Sequence, residues 1–448
     1  MSTYSKTISY SVLGVALTVA PMAQAISPLE AYKLALQNDA NFRAAKAERE
    51  AGKQFEVIGR STLLPQVQYS FGKSKNLGEM VSPDLTGKLR LTDLEYPSSN
   101  KGVSLRQPLF NLDSYARFEQ GKAQTKYSDA QFDAKNAELM TRLFGAYVEA
   151  KFADDQVKLY TAQRDAYLEQ MRLNRRMYEK GEGTKTDMLE TQSKLDVAEA
   201  MLLEARDNFS NATNTLAGML GAENVSLDSL RSDLPVTGLL DGDYEVWHQM
   251  MEKNNPELKA AQLAVEIADK EILKARAGHA PRVDLNATYS HTKSETVSTQ
   301  KQDTNMRTIG FQLVVPLYSG GYVNAVSKQT VAQKEKANAE LDSVRNKLNV
   351  ELRRNYNAIR TGVIKLEAMQ KAVKSAESLV EATAQSIRGG VRINLDYLNA
   401  QQQLVTAKRD LAQAQYTFLT SYLKLKVTAG VASIDDMQTV SNFFVAAN

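Results

Sequence analysis

The 448-residue chain carries 55 basic and 52 acidic residues, a net charge of +3, with 24% of all residues charged. The two signs are mixed along its length, so no basic face points to nucleic acid and no charge run to an anionic membrane surface. With no cysteine, disulfides, thiolate metal sites and the lipid-carrying cysteine of a bacterial lipoprotein signal are excluded, and the fold must hold by packing alone.

The chain opens with Lys6, a mostly apolar stretch from Ile8 to Ala20, and the small-x-small triplet Ala23-Gln24-Ala25. Positive, apolar, then small is the order of a secretory signal peptide. The apolar run is shorter than the roughly 20 residues that a spanning helix needs, and it ends at Pro21. Residues 1–25 therefore read as a signal peptide and Ile26 as the start of the mature chain. No later window resembles a spanning helix, so any membrane crossing must be made by a β-barrel, the other structure that satisfies the backbone in lipid.

After a first helical segment comes a period-two alternation, in which Val67, Tyr69 and Phe71 interleave with Gln66, Gln68 and Ser70. A shorter one follows at Val103 and Leu105, then Val283, Leu285, Ala287 and Tyr289, then Ile309, Phe311, Leu313 and Val315. Each reads as a strand with one apolar and one polar face. The links Gly72 to Lys101 and Ser290 to Arg307 are rich in Ser, Thr, Asn, Asp and Lys and read as polar loops. Pro65 and Pro281 stand before the first strand of each hairpin, and Pro108 and Pro316 mark the end of the second, where a ladder gives way to a helix. The same alternation also fits two surface hairpins on a helical protein. If the strands do span lipid, four cannot close a barrel, for which about eight are needed, so subunits must share one.

The remaining sequence is helical. No proline falls between Pro108 and Pro235 or after Pro316, and both stretches favour Ala, Leu, Gln, Glu, Lys and Arg, good helix formers. From Asn111 to about Lys180 this gives a rod on the order of 100 Å. Turns bearing Gly181 and Gly183, and Gly389 and Gly390, then reverse the chain. An ordinary coiled coil would use the same helices, but not hairpins at their ends.

The chain is also a duplication. Gly181, Asp187, Leu189 and Gln192 recur as Gly390, Asp396, Leu398 and Gln401, each 209 residues on (390 − 181 = 209). In the same register Leu195, Leu202, Phe209 and Leu216 answer to Leu404, Leu411, Phe418 and Leu425. Ala198, Ala205 and Ala212 between them answer to Ala407, Ala414 and Ser421, so each returning helix carries a heptad seam of large and small residues that stops at Gly221 or Gly430.

The expected layout is a first repeat over 26–226, with a hairpin over 63–109 and long helices over 111–180 and 185–220. A linker over 227–250 leads to a second repeat over 251–430, with a hairpin over 281–316 and long helices over 320–388 and 394–428. Residues 431–448 form a C-terminal tail. His248, His279 and His291 are far apart, and no phosphate loop or nucleophile motif occurs, so the sequence offers an enzyme neither a site nor a cofactor.

Four stretches resemble the TolC family of outer-membrane factors: Ser27 to Asp39, the hairpin end Pro316-Leu-Tyr-Ser-Gly-Gly-Tyr322, and the two Gly-x5-Asp-x-Leu turns. Within it, Ile58 to Pro65, Ser104 to Phe110 and Gly181 to Asp187 are similar to the branch that serves type I secretion of proteases. The resemblance implies a mixed α and β membrane protein: a homotrimer whose 12-stranded β-barrel, four strands per chain, sits in outer-membrane lipid and continues as a long α-helical periplasmic barrel. It implies as partners a periplasmic membrane-fusion adaptor and an inner-membrane ABC transporter, or, in the multidrug-efflux alternative, an RND pump. It also implies a closed inner tip held by Asp187, Arg392 and Asp396, with Ile387 where the family's gate has a tyrosine and Asn399 where it has an aspartate. Read from the residues alone, Asp187 and Asp396 lie early in their helices, where a negative charge is favourable as a cap.

Overall fold

The computed structural model describes residues 25–445 except 223–224, 232–233, 235–237, 239, 241, 295–301 and 390. The expected signal peptide over 1–25 thus lies outside the described residues, apart from Ala25.

The first repeat opens with three short helices instead of one: α1 (Pro28–Asn38), α2 (Ala40–Gly52) and α3 (Gln54–Ser61). Each break has a local cause. Ser27 and Glu30 form a capping box at α1 with Pro28 in its first turn, and Asp39 caps α2 by accepting from the Phe42 amide at 2.8 Å, which satisfies an amide the helix start leaves without a partner.

Strands β1 (Gln66–Pro83) and β2 (Leu89–Asn111) then pair without interruption from Gln66 opposite Arg106 to Pro83 opposite Leu89. This corrects the expected loop over 72–101, most of which is strand. Beyond the apolar alternation, Lys73, Lys75, Glu79, Asp93 and Glu95 fall on the same side as Leu77, Val81 and Leu91, so period two fades from the sequence while the backbone ladder continues. Only the tip turns, where Asp84 Oδ1 accepts from the Thr86 and Lys88 amides. Pro108 does not end its strand. The ladder shifts register between Pro108 and Phe110 and continues to Asn111, since a bulge accommodates a residue with no amide to donate.

Asn111 caps α4 (Leu112–Glu179), 68 residues long, and α5 (Lys185–Leu220) returns along it. The junction between repeats holds a two-residue strand, β3 (Ser229–Leu230), followed by α6 (Tyr244–Asn254) and α7 (Pro256–Arg276). The second repeat's helices thus begin at Tyr244, inside the segment expected as linker. Strands β4 (Arg282–Ser294) and β5 (Gln302–Val314), then α8 (Tyr322–Arg388) and α9 (Asn394–Thr428), repeat the first half. The strands of this second hairpin likewise run into the polar segment expected as a loop. The tail is structured: α10 (Ile434–Ser441) leads to β6 (Phe444–Val445), which pairs with β3. At the end of α9, Gly430 has φ +71°, and a Cβ there would fall 2.4 Å from the Asn254 carbonyl carbon, so only glycine lets the second repeat's first helices pack this closely.

The main core lies around the middle of the long helices. Leu139, Leu143, Phe144 and Tyr147 of α4, Leu352 and Ile359 of α8, and Phe418 and Leu419 of α9 are buried together with Met437, Val440 and Phe444 from the tail. One charged group sits inside this girdle. Lys151 is 1% exposed, and its Nζ donates to Asp154 Oδ2 at 2.8 Å and Asp155 Oδ1 at 2.6 Å, while the Tyr416 hydroxyl of α9 donates to Asp155 Oδ2 at 2.5 Å. Burial pulls the Lys151 ammonium down, but the two carboxylates outweigh it and hold it above the ordinary lysine range. The cluster thereby ties the first coil to the second.

Candidate functional site

Two features are candidates for function: the sheet at one end of the long helices and the reversals at the other. The four strands form one antiparallel sheet in the order β1-β2-β4-β5, so both repeats contribute a hairpin and β2 meets β4 at the centre. Val67, Leu105, Ala287 and Ile309 stand opposite one another in a single row across all four strands. The row to one side is Gln68, Ser104, Thr288 and Thr308. Because alternate residues point to opposite faces, one face is apolar and the other polar. The apolar one is bare in the single chain, with Val67 66%, Phe71 64%, Ile309 79% and Phe311 74% exposed. A patch of that extent on an exported chain requires cover. Both outer strands, β1 and β5, keep one edge unpaired in the sheet of one chain.

At the far end, α4 stops at Lys180, and Gly181 takes φ +77°, while the Glu182 amide bonds back to the Met177 carbonyl at 2.9 Å. Gly183 lies against that last turn, where a Cβ would stand 3.1 Å from Met177 Cβ. Thr184 then caps α5. The Asp187 amide donates to Thr184 Oγ1 at 3.1 Å, and Asp187 Oδ2 accepts from the Thr184 amide at 3.2 Å and hydroxyl at 2.6 Å. The Asp187 carboxylate is therefore engaged within its own turn, as a capping box requires.

The second reversal keeps the back-bond, from the Val391 amide to the Ser386 carbonyl at 3.0 Å, but lacks the capping box. Gly389 ends α8 with an ordinary φ of −83°, Gly390 lies outside the described residues, and the cap position of α9 is Ile393, with no side-chain bond. Asp396 holds the N3 position that Asp187 holds in the first repeat; its amide donates to the Ile393 carbonyl at 3.2 Å, and its carboxylate closes no capping box. Arg392 and Asn399 are exposed and Asp396 half-buried. Among the described residues, neither Arg392 nor Asp396 forms an ion pair within the chain. The structure places Arg392, Asp396 and Asn399 on one reversal and Asp187 on the other; Ile387 is half-buried on the last turn of α8.

What holds the second reversal is a network that the sequence reading missed. Asn394, the first residue of α9, donates through Nδ2 to Thr191 Oγ1 of α5 at 3.1 Å and accepts through Oδ1 from Gln170 Nε2 of α4 at 2.8 Å. Asn174 Nδ2 donates to Thr191 Oγ1 at 2.8 Å, and Gln170 Nε2 reaches Asn174 Oδ1 at 3.1 Å. Asn174, Thr191 and Asn394 are all buried. Further along, the Tyr167 hydroxyl donates to the Leu398 carbonyl and Gln163 Nε2 to Gln402 Oε1. Residues 163, 167, 170 and 174 are one heptad seam, polar where the same positions 209 residues on, Ala372, Ala376, Leu379 and Thr383, are small or apolar. That spacing was the available signal. A dry polar seam fixes register because its members cannot shift without losing partners.

The histidines do not converge. The His279 ring meets Asn324 and the His291 ring meets Asp303, on different parts of the chain. Among the described residues no group of side chains could hold a metal ion, and no helix is long and apolar enough to cross a membrane.

Comparison with known proteins is consistent along the whole chain. A family model described as outer membrane efflux protein matches residues 31–222 and 247–431. The alkaline protease secretion protein AprF of Pseudomonas aeruginosa is 38% identical over 95% of this chain and 88% of its own length. The proteases secretion protein PrtF of Dickeya chrysanthemi is 37% identical over 95% and 92%. Among solved structures, the CmeC outer membrane channel of Campylobacter jejuni has a TM-score of 0.79 over 93% of this chain and 90% of that one, at 15% identity, which is a likeness of fold.

Proposed function

Because the chain belongs to the outer membrane efflux protein family, the TolC family of the sequence reading, we propose that it is the exit duct of a type I secretion system, conducting proteases from the periplasmic side to the cell exterior. It is an outer-membrane protein that extends into the periplasm. The observation that carries the duct is the sheet: one apolar and one polar face, with two unpaired edges. Three copies joined edge to edge give twelve strands, enough for an aqueous lumen lined by the polar rows. The long helices of each copy continue that wall inward. The protease cargo rests on the relatives named for protease secretion.

In this reading the duct is passive. An inner-membrane ABC transporter supplies the energy, a periplasmic membrane-fusion adaptor joins the two, and no residue of this chain is catalytic. The gate lies at the second reversal. Arg392 and Asp396 form no ion pair with any described residue of their own chain, so in a trimer they can bridge to neighbours, with Asn399 beside them. Asp187 is engaged in the capping box of the first reversal and takes no part in the closed ring itself. Each exposed bridge is weak, about 0 to 1 kcal/mol, so three copies can hold a closed ring that a docking partner opens.

The test is secretion of an extracellular protease, with drug tolerance measured in parallel, in cells with and without the chain. Loss of the secreted protease at unchanged tolerance is expected. Drug hypersensitivity with normal secretion would replace the reading by multidrug efflux with an RND pump.

A further inference from the structure

The mature amino terminus has a prepared seat. Ile26 lies in a parallel bridge with Leu227 of the segment joining the repeats, and its amide donates to the Ser226 carbonyl at 2.8 Å. On the other side of the bridge, the Tyr147 hydroxyl of α4 donates to the Ile26 carbonyl at 2.8 Å and accepts from the Asp228 amide at 3.1 Å. Ile26, the inter-repeat segment and the girdle of the long helices thus meet at one hydroxyl.

Two carboxylates converge on the same corner. Asp228 is 6% exposed, and its Oδ1 is sealed from solvent with no hydrogen-bond donor among the described residues. Glu30 accepts from the Ser27 amide and hydroxyl, both at 3.1 Å, one residue from Ile26. Burial pushes the Asp228 carboxyl up, and Glu30 pushes it further, so the two negative groups feel each other. Neither forms an ion pair with any described residue. The nearby cation on the same helix, Lys33, is exposed and lines with Ile26 and Glu30 the hollow of about 330 Å³ at this corner. A buried carboxylate without a counter-charge is unfavourable, which leaves the site short of one cation.

We propose that removal of the signal peptide after Ala25 supplies that cation: the new α-ammonium of Ile26 keeps its bond to the Ser226 carbonyl and pairs with Asp228 and Glu30. Before cleavage the Ile26 nitrogen is a neutral amide with one proton to donate. Hydrolysis of the Ala25–Ile26 peptide bond by water gives Ala25 its carboxylate and Ile26 an ammonium with three. One can stay on the Ser226 carbonyl, which leaves two for the carboxylates. Processing would then lock the inter-repeat segment against α1 and α4, so that the fully clamped girdle belongs to the mature chain alone. The inference rests on cleavage at Ala25 and not on the cargo or the gate.

The experiment uses the full chain, expressed with its own leader and purified from outer membranes in detergent. Terminal sequencing identifies the first residue, and an amine-reactive ester at neutral pH, followed by mass spectrometry of the terminal peptide, measures how fast the α-amine is acylated. The native terminus should begin at Ile26 and react at least about tenfold more slowly than an ordinary α-amine, the effect of raising its pKa by about one unit. Asp228→Asn should restore fast labelling. A Gly-Ser pair inserted between Ala25 and Ile26 should do so too while leaving every side chain in place, which keeps the test valid if Asp228→Asn fails to fold. A native α-amine as reactive as that of the insertion variant, or a mature chain beginning elsewhere, overturns the proposal.

Discussion

The two helix reversals stand at equivalent points of a duplicated chain and are built on opposite plans. The first closes on itself: Gly181 turns it, Thr184 caps it, and the Asp187 carboxylate completes the box. The second has Ile393 at the cap and is held from outside, by Asn394 reaching Thr191 and Gln170 of the first coil. A duplicated motif has thus split its duties. One copy became a fixed post, and the other stayed dependent on its neighbours, with Arg392 and Asp396 uncommitted. A movable element needs few internal contacts, and among the described residues the second reversal lacks the side-chain cap that the first has.

The largest expected effect lies far from both reversals and should not distinguish them. Lys151→Met takes the cation from half-buried Asp155 and leaves half-buried Asp154 with Lys158 alone, and should cost the girdle about 3 kcal/mol, read as a lower denaturation midpoint for the whole chain. The same cluster sets a pH dependence. Burial raises the Asp154 carboxyl, but Lys151 and Lys158 outweigh it and hold it below its ordinary range. Its contribution is therefore complete above the unfolded carboxyl pKa of about 3.9 and is lost as the pH falls through the lower folded value. Acid titration of wild type against Asp154→Asn checks this, and the variant should lack that part of the acid limb.

Asn394→Ala should sharpen the comparison most. It takes a partner from buried Thr191 and from Gln170, at about 1–3 kcal/mol. Amide exchange should speed up over 391–398 while 185–192 stays protected. Equal acceleration of both segments would mean that the reversals are one unit. Thr184→Ala removes the capping box and should cost about 1 kcal/mol, with faster exchange confined to the start of α5 and unchanged conductance. Smallest in stability but largest in conduction should be Arg392→Ser and Asp396→Asn. Neither breaks an ion pair among the described residues, so the subunit should melt as before while the channel leaks.

Much of this architecture was legible in the sequence for a simple reason: repetition reports itself. Leu202 and Leu411, or Asp187 and Asp396, announce the duplicated coil by offset alone, and the four alternating runs announce the sheet. The hairpin extensions were hidden because Lys73, Lys75 and Glu79 break the apolar period between Phe71, Leu77 and Val81, so 72–83 looked like loop. The tail was hidden because β6 exists only through β3, more than 200 residues earlier, and no local pattern in Phe444–Val445 signals that pairing. At the reversals, the capping role of Asp187 followed from its place early in a helix. The seam at Gln163, Tyr167, Gln170 and Asn174 was overlooked because heptads were sought among apolar residues, and its meaning depends on which helix packs opposite.

The most direct test of the account is the conductance of the purified protein in planar lipid bilayers, compared among wild type, Thr184→Ala, and Arg392→Ser with Asp396→Asn. A mostly closed wild-type channel, unchanged by loss of the first cap and opened by the changes at the second reversal, is the predicted result. A channel that opens with Thr184→Ala and ignores Arg392 and Asp396 would place the gate on the wrong turn, and the absence of any conductance in all three would contradict the duct itself.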